Sequence, residues 1–272
     1  MMDKPFIHFL RTCGGYYIYD VNKNTILKLG KDEFEMLQGA AKNSWQGIED
    51  TETVQRLKKD GFFSSKRFSE IIHSDDETME YILRNKLSML ILQVTQQCNL
   101  RCKYCIFSGS YINRRHSNKR MKLELAEKGI DFLISHSRDS DVLNIGFYGG
   151  EPLLEFELIK MCVKYAEEKA EGKNIVFSIT TNGTLLNKEK IEYFIEHNVD
   201  LMISLDGPRE IHDKSRTFAV NGCGSFDRIM ENLEFIKENY LDYYNKIKFS
   251  VVIDPNNDLS CVSEFFVNHE VL

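Results

Sequence analysis

The chain has 272 residues, of which 42% are hydrophobic, so it has room for about two domains with a buried core and is not a disordered tail. Its 35 Lys and Arg against 41 Asp and Glu give a net charge of -6, which provides no overall basic field for nucleic acid or anionic lipid. The longest apolar run, residues 87–94, is too short to cross a bilayer, and residues 1–10 have no signal-peptide core. We therefore expect a soluble cytoplasmic protein that binds neither nucleic acid nor membrane.

The first 64 residues predict a small α+β module. Three short strands, with Asn22 and Asn24 in the tight turn between the second and third, precede helical patterns at residues 32–41 and 51–60. Strands plus two short helices in so few residues are typical of a winged-helix type of module. Residues 65–86 are polar and weakly periodic, and we interpret them as a linker.

The remainder, residues 87–272, alternates short apolar runs with amphipathic helices, which indicates βα units around a parallel sheet. Five strands are predicted, at residues 89–94, 142–147, 175–179, 201–205 and 247–253. A helix is predicted over residues 226–240, with Ser225 placed to cap its start. Each strand is followed by a loop rich in polar residues, with Cys, Gly or Pro among them, so one site is expected at the C-terminal ends of the strands.

Three of the seven cysteines, Cys98, Cys102 and Cys105, fall within eight residues. An odd cysteine count without an export signal favours a reducing compartment over disulfides. A structural zinc site normally has four ligands, and no fourth Cys or His lies close in sequence, although His116 or a distant residue could serve. Three thiolates suit a 4Fe-4S cluster with one iron left open. The scattered cysteines are interpreted as ordinary thiols: Cys13, Cys162, Cys223 and Cys261.

The spacing Cys98-x3-Cys102-x2-Cys105, with Tyr104 before the last cysteine, resembles the cysteine motif of the radical SAM superfamily. One predicted strand later, residues 149–151 resemble the GGE motif of that superfamily. The resemblance implies a (β/α)6 TIM-type barrel, of which five strands are visible here. It also implies a 4Fe-4S cluster on the three cysteines and S-adenosylmethionine on the open iron, with its amino group held by Gly149, Gly150 and Glu151.

The later loops resemble the peptide-modifying branch of the same superfamily. The resemblance places Thr181 and Asn182, and likewise Ser204 and Asp206, near the ribose and carboxylate of the bound cofactor. Arg216 would pair with the methionine carboxylate in bidentate fashion. Taken alone, these segments are also typical of ordinary turns and exposed loops.

The function implied by the resemblance is that of a radical SAM peptide maturase of the SPASM type, an oxidoreductase. A donor such as ferredoxin or flavodoxin reduces the cluster, S-adenosylmethionine is split to methionine and a 5'-deoxyadenosyl radical, and that radical removes hydrogen from a precursor peptide. The leading expectation is thioether crosslinking of a Cys-rich precursor, with residues 1–64 resembling leader-binding elements. The alternatives are a sulfatase-maturing type of Cys or Ser oxidation, and a non-catalytic peptide-binding fragment.

Six strands are expected in such a barrel, and only five are predicted before residue 272. No cysteine-rich region of the SPASM type follows them. The expectation is therefore a chain truncated at its C-terminus, poorly soluble and inactive as given.

A basic run follows the cysteine loop without an intervening acid. A basic rim could guide an acidic peptide, but a solvated loop is the preferred interpretation. The run consists of Arg114, Arg115, Lys119, Arg120 and Lys122.

Overall fold

A computed structural model of the chain describes residues 4–48, 50–70, 72–108, 115–170 and 172–269. The chain divides into two compact units, Met1–Ser74 and Asp75–Leu272. Within the described residues, none of the helices has the length and apolar character needed to span a membrane.

The first unit is an antiparallel sheet followed by two helices. Strands β1 (Ile7–Thr12), β2 (Gly15–Asp20) and β3 (Thr25–Leu29) lie in the order β1-β2-β3, and α1 (Lys31–Lys42) and α2 (Glu52–Lys59) follow. Asn24 takes a positive φ of 49° in the β2–β3 turn, as its residue type allows. The buried carboxylate of Asp20 accepts from the Phe63 and Lys23 amides, at 2.8 and 3.0 Å, and so ties this turn to the chain that follows α2. The winged-helix assignment stays a prediction.

The second unit contains a five-stranded parallel sheet in the order β4-β5-β6-β7-β8, as expected for an α/β barrel segment. Its elements in chain order are α3 (Met79–Asn85), β4 (Met89–Thr95), α4 (Leu123–Ser135), β5 (Val142–Gly149), a short 3-10 helix (Pro152–Glu155), α5 (Phe156–Lys169), β6 (Asn174–Thr181), α6 (Lys188–Glu196), β7 (Val199–Ser204), α7 (Arg209–His212), α8 (Phe226–Asn239), α9 (Leu241–Tyr244), β8 (Lys248–Ser250) and α10 (Leu259–Asn268).

Alternation along the strands separates a helix-packed face from a polar face. In β7, Val199, Leu201 and Ile203 are buried, whereas the residues between them are less so. These apolar side chains join one continuous core with the inward faces of α4, α5, α6 and α8. Because side chains alternate along a strand, Ser204 at the end of β7 lies on the opposite face, toward the candidate site.

Two details of the second unit differ from the sequence prediction. The last strand was predicted over residues 247–253 but ends at Ser250. Beyond it the main chain turns away from the sheet, because the Val252 amide donates to the Asp206 carboxylate (3.0 Å) and not to a neighbouring strand. Ser225 precedes α8 without capping it. Its hydroxyl donates to the Arg216 carbonyl (3.0 Å), and Asp213 accepts from the Phe226 amide instead (2.9 Å).

The loop after β5 lies directly against the loop after β4. The Gly150 amide donates to the Thr95 carbonyl (2.8 Å), and the Glu151 amide donates to the Gln97 carbonyl (2.9 Å). A Cβ on Gly150 would meet the Gln97 carbonyl oxygen at 2.2 Å, and one on Gly149 would meet the Thr95 oxygen at 2.3 Å. Both neighbours are main-chain atoms, so only glycine allows this approach.

We expect Gly150→Ala to lower the free energy of unfolding by roughly 3 kcal/mol, because one of two fixed backbones must shift. The matched control is Gly129→Ala in α4, where a Cβ would meet Leu92 at an ordinary 3.5 Å. Removing a helical glycine there should raise stability by about 1 kcal/mol. Urea denaturation followed by circular dichroism measures both, and equal stability of the two variants would show that the close approach imposes no constraint.

Candidate functional site

A cavity of about 330 Å³ lies at the C-terminal ends of the strands in the second unit. It brings together most of the residues singled out in the sequence, from loops after β4, β5, β6 and β7. Those that line it are Cys98, Cys102, Tyr104, Cys105, Gly149, Gly150, Thr181, Asn182, Ser204 and Arg216. Glu151 and Asp206 are not among its lining residues, although both are buried directly behind it.

The cysteine loop is held by main-chain bonds to the segment that follows α7. The Arg101 amide donates to the Thr217 carbonyl (2.8 Å), and the Lys103 amide donates to the Ser215 carbonyl (3.1 Å). The Arg101 side chain in turn donates to the Cys98 and Leu100 carbonyls, at 2.7 and 2.8 Å. The three thiols therefore sit on a loop whose backbone is fixed on both sides.

The cysteine side chains fit a soft, multi-iron ligand. All three line the one cavity, and thiolates are the ligands of iron–sulfur clusters. Burial raises the pKa of Cys98 to about 12 and that of Cys102 to about 11, the latter opposed by the nearby Arg216 charge. Such thiols stay protonated until a metal displaces the proton, so binding of iron here releases protons.

Eight further residues line the cavity, and of these the sequence analysis had named only His116, as a possible fourth ligand of a zinc site. They are mostly apolar or aromatic and include His116, whose Nε2 lies 2.8 Å from the Ser108 hydroxyl. Among the described residues, no three His, Cys, Asp or Glu side chains group closely enough to hold a single metal ion. The additional residues are Leu100, Ile106, Phe107, His116, Tyr148, Thr180, Ser250 and Val252. Position alone could have indicated Tyr148, which directly precedes the glycine pair.

The Glu151 carboxylate binds protein groups in this structure. It accepts from the Leu153 amide (3.0 Å), the Thr181 hydroxyl (2.7 Å) and the Asn182 amide (2.8 Å). The side chain is fully buried, and burial raises its pKa against the effect of these donors. The sequence placed this carboxylate on the amino group of the cofactor. In the structure it joins the loops after β5 and β6, and its contact with the amino group of the cofactor stays a prediction.

Asp206 and Arg216 form a buried ion pair behind the cavity wall. Nε and Nη2 of Arg216 donate to the two Asp206 oxygens, at 2.9 and 3.2 Å. The Tyr104 hydroxyl also donates to Asp206 (2.5 Å), and the Arg216 guanidinium lies over the Tyr104 ring, 5.4 Å from its centroid. Burial raises the pKa of Tyr104, which keeps it a donor. The bidentate partner of Arg216 in this structure is Asp206, and its contact with the methionine carboxylate stays a prediction.

His212 extends this network and was not selected from the sequence. Its Nδ1 accepts from the Asp206 amide (3.3 Å), so Nε2 carries the proton and donates to the Ser225 hydroxyl (2.9 Å). The Ser225 hydroxyl donates onward to the Arg216 carbonyl. His212 is fully buried, and burial, together with the Arg216 charge, lowers its pKa to about 4.

The basic run is exposed where the structure describes it. Arg120 pairs with Glu155 (3.1 Å), while Arg115, Lys119 and Lys122 are exposed and consistent with a solvated loop. Arg114 lies outside the described residues. The four scattered cysteines are free thiols, of which Cys162 is buried in the core.

We expect the stability of the chain to fall as the pH is lowered from about 6.5 to about 4, in part through His212. The unfolded chain binds a proton on this residue near pH 6.5, whereas the folded chain resists doing so until about pH 4. The full shift corresponds to about 3 kcal/mol. Urea midpoints at pH 7, 6 and 5 measure it. His212→Asn should show a shallower pH dependence, and an unchanged slope would contradict the assignment.

Comparison with known proteins identifies similar chains. The chain is 38% identical over 163 residues to a cysteine-type anaerobic sulfatase-maturating enzyme of Clostridium novyi, covering 58% of this chain and 42% of that protein. It is 28% identical over 203 residues to a radical SAM cyclopropyl synthase of Paramaledivibacter caminithermalis, covering 68% and 40%. The chain thus spans about two fifths of the length of these relatives.

A solved structure of hexahistidine-tagged anSMEcpe with bound AdoMet superimposes with a TM-score of 0.57 at 25% identity, covering 66% of this chain and 48% of that one. The family model of the radical SAM superfamily matches residues 92–264, which include the cysteine loop and every strand of the parallel sheet but the first three residues of β4. That family consists of enzymes that use a 4Fe-4S cluster and S-adenosylmethionine, as the sequence led us to expect. The chain belongs to the radical SAM superfamily.

Proposed function

We propose that the second unit binds a 4Fe-4S cluster through Cys98, Cys102 and Cys105 and S-adenosylmethionine in the adjoining cavity. The observation that carries the proposal is that three thiols and the glycine pair line one cavity of about 330 Å³. The glycine pair fits this role because its main chain is exposed to the cavity without side chains. Family membership supports the cofactor pair.

When bound, the reduced cluster supplies the electron that splits S-adenosylmethionine to methionine and a 5'-deoxyadenosyl radical, which removes a substrate hydrogen. The residues of this chain bind and orient. Gly149 and Gly150 offer main-chain groups to the amino group, and Ser204 offers its hydroxyl to the ribose or carboxylate. The Thr181 hydroxyl donates to Glu151, so we assign to it only an accepting contact with the ribose. Arg216 has two donors committed to Asp206, so we assign to its Nη1 a single contact with the carboxylate. Phe107 and Val252 contribute apolar surface to the cavity wall.

The proposed substrate is a peptide, and the leading reaction is thioether crosslinking of a Cys-rich precursor. A second candidate is oxidation of a Cys or Ser, which is favoured by the 38% identity to a sulfatase-maturating enzyme. Mass spectrometry of a peptide after turnover separates them. A crosslink keeps the sulfur and joins two residues, whereas oxidation of Cys to an aldehyde loses the sulfur. A bound but unmodified peptide, with no cleavage of S-adenosylmethionine, would favour the non-catalytic alternative.

We further propose a reducing cytoplasm as the site of action and a low-potential carrier, such as ferredoxin or flavodoxin, as the electron donor. Seven free thiols support the first point, since none of them is paired in a disulfide. The net charge of -6 supports the absence of a nucleic-acid partner.

The first unit is proposed to bind the leader of the precursor by strand addition at β3. The N-terminal side of β1 already contacts residues 64–67, where Phe6 donates to the Ser64 carbonyl (2.9 Å) and Arg67 to the Lys4 carbonyl (3.3 Å). β3 is the other edge of the sheet, and Ile26 on it is 60% exposed. An extended peptide there would gain main-chain hydrogen bonds and an apolar neighbour.

Anaerobic reconstitution of the full chain should give a 4Fe-4S absorption spectrum and, after reduction, an EPR signal that changes when S-adenosylmethionine is added. Alanine at Cys98, Cys102 and Cys105 together should abolish both, because no thiolate is left to hold iron. The control Cys223→Ala removes an exposed thiol outside the cavity and should leave both unchanged. Stoichiometric zinc, with no cluster obtainable, would refute the cofactor proposal.

Ile26→Lys in the full chain should weaken binding of a fluorescently labelled small peptide encoded beside this gene by about tenfold, or about 1.4 kcal/mol. The reason is loss of the apolar neighbour on the β3 edge. The control is Leu10→Lys on β1, also an exposed apolar residue on an edge strand, which should bind normally. Fluorescence anisotropy measures the peptide affinity of both variants, and equal affinities would show that the peptide does not bind at β3.

A further inference from the structure

We propose that Asn182 is a positioning residue for the cluster, donating a hydrogen bond from its amide to the Cys98 sulfur and so raising the reduction potential of the bound cluster. Nδ2 of Asn182 lies 3.9 Å from Sγ of Cys98. The inference rests on the proposed function, since it needs a cluster on Cys98. It departs from the sequence prediction, which placed Asn182 near the ribose and carboxylate of S-adenosylmethionine.

A ring of hydrogen bonds fixes which end of the Asn182 amide faces the sulfur. The main-chain amide of Thr184 donates to Oδ1 of Asn182 (3.0 Å), and the Thr184 hydroxyl donates to the same oxygen (2.6 Å). A main-chain N–H can only donate, so the atom that it bonds must be the oxygen. The NH2 group is therefore the end that is turned toward Cys98.

Asn99 closes the ring. Its Oδ1 accepts from Nδ2 of Asn182 (2.8 Å), and its Nδ2 donates to the Thr184 hydroxyl (2.8 Å). Oδ1 of Asn99 also lies 4.0 Å from the Cys98 sulfur, as an acceptor for the thiol proton. When a metal binds the sulfur, the thiol proton is released to solvent and this contact ends. The second N–H of Asn182 then has the thiolate as its acceptor.

Burial shields this contact from solvent. Cys98 is 9% exposed, Asn182 6% and Thr184 3%, so little water screens the amide dipole. Reduction moves one electron from the donor protein to the cluster, with no bond made or broken in the protein. The added negative charge is shared with the thiolate sulfurs, and an N–H directed at one of them stabilises the reduced state more than the oxidised state.

Main-chain amides also donate to the cysteine sulfurs, and these hydrogen bonds remain when a side chain is replaced. The Leu100 amide donates to Cys98 Sγ (3.4 Å), and the Phe107 amide donates to Cys105 Sγ (3.5 Å). Replacing Asn182 therefore removes one donor from a set and is expected to shift the potential without preventing assembly of the cluster.

The test is an EPR-monitored redox titration of the reconstituted full chain without S-adenosylmethionine. Asn182→Ala should retain the iron content of the unmodified chain and shift the midpoint potential to a more negative value. The matched control is Asn232→Ala. Asn232 is also buried, and it donates to the Gly183 carbonyl (2.8 Å), one residue along the same loop and away from the sulfurs. Asn232→Ala should leave the midpoint potential of the cluster unchanged.

A second variant covers the case in which Asn182→Ala fails to assemble the cluster. Thr184→Val removes the hydroxyl that donates to the Asn182 oxygen but keeps the main-chain amide of residue 184, which donates to the same oxygen. A smaller shift of the midpoint potential in the same direction is therefore expected. An unchanged potential in the variants that assemble, or an equal shift in Asn232→Ala, overturns the inference. So does weakened binding of S-adenosylmethionine to Asn182→Ala at unchanged potential. Failure of the unmodified chain to take up a cluster would instead refute the proposed function.

Discussion

The candidate site depends on the main chain of residues 149–151 lying directly against that of residues 95–97. Two hydrogen bonds continue the β4–β5 pairing beyond the ends of the strands, and no side chain fits between the two loops at Gly149 or Gly150. This contact places the glycine pair beside Cys98. The Glu151 carboxylate then fixes the same turn to the end of β6 through two donors, the Thr181 hydroxyl and the Asn182 amide. The relative positions of the first three loops follow from main-chain contact and one buried carboxylate.

A second constraint is the buried charge of Asp206. Its carboxylate accepts from the Tyr104 hydroxyl, two nitrogens of Arg216 and the Val252 amide, so that each oxygen is satisfied. A buried ion pair is tolerated when hydrogen bonds compensate for the water it has lost. The donors come from the loops after β4, β7 and β8, and the pair thereby joins the cysteine loop to the other side of the cavity.

Local patterns predicted the parallel sheet and the loops that meet at one cavity, whereas contacts distant in sequence were not predictable. The cysteine spacing, the glycine pair and the strand alternation all lie within short segments, and the parallel sheet formed as expected. The bonds of Arg216 to Asp206 and of Glu151 to the end of β6 were not predicted, because a charged side chain does not show in sequence which distant group it meets. The contact of Asn182 with Cys98 crosses 84 residues. The last strand was predicted too long because the apolar residues 251–253 continue its pattern after the backbone has turned to Asp206.

The distance in sequence between the cysteine loop and its partners has a consequence for synthesis. Tyr104 and Asp206 are 102 residues apart, and the main-chain partners of Arg101 and Lys103 come later still. At about 5–20 residues per second, the three thiols leave the ribosome roughly 5–20 s before the segment that fixes their loop. Throughout that interval they are unshielded cysteines, exposed to oxidation and to adventitious metals. The cysteine loop therefore reaches its folded geometry only after the segment that contains Ser215 and Thr217 has been synthesised.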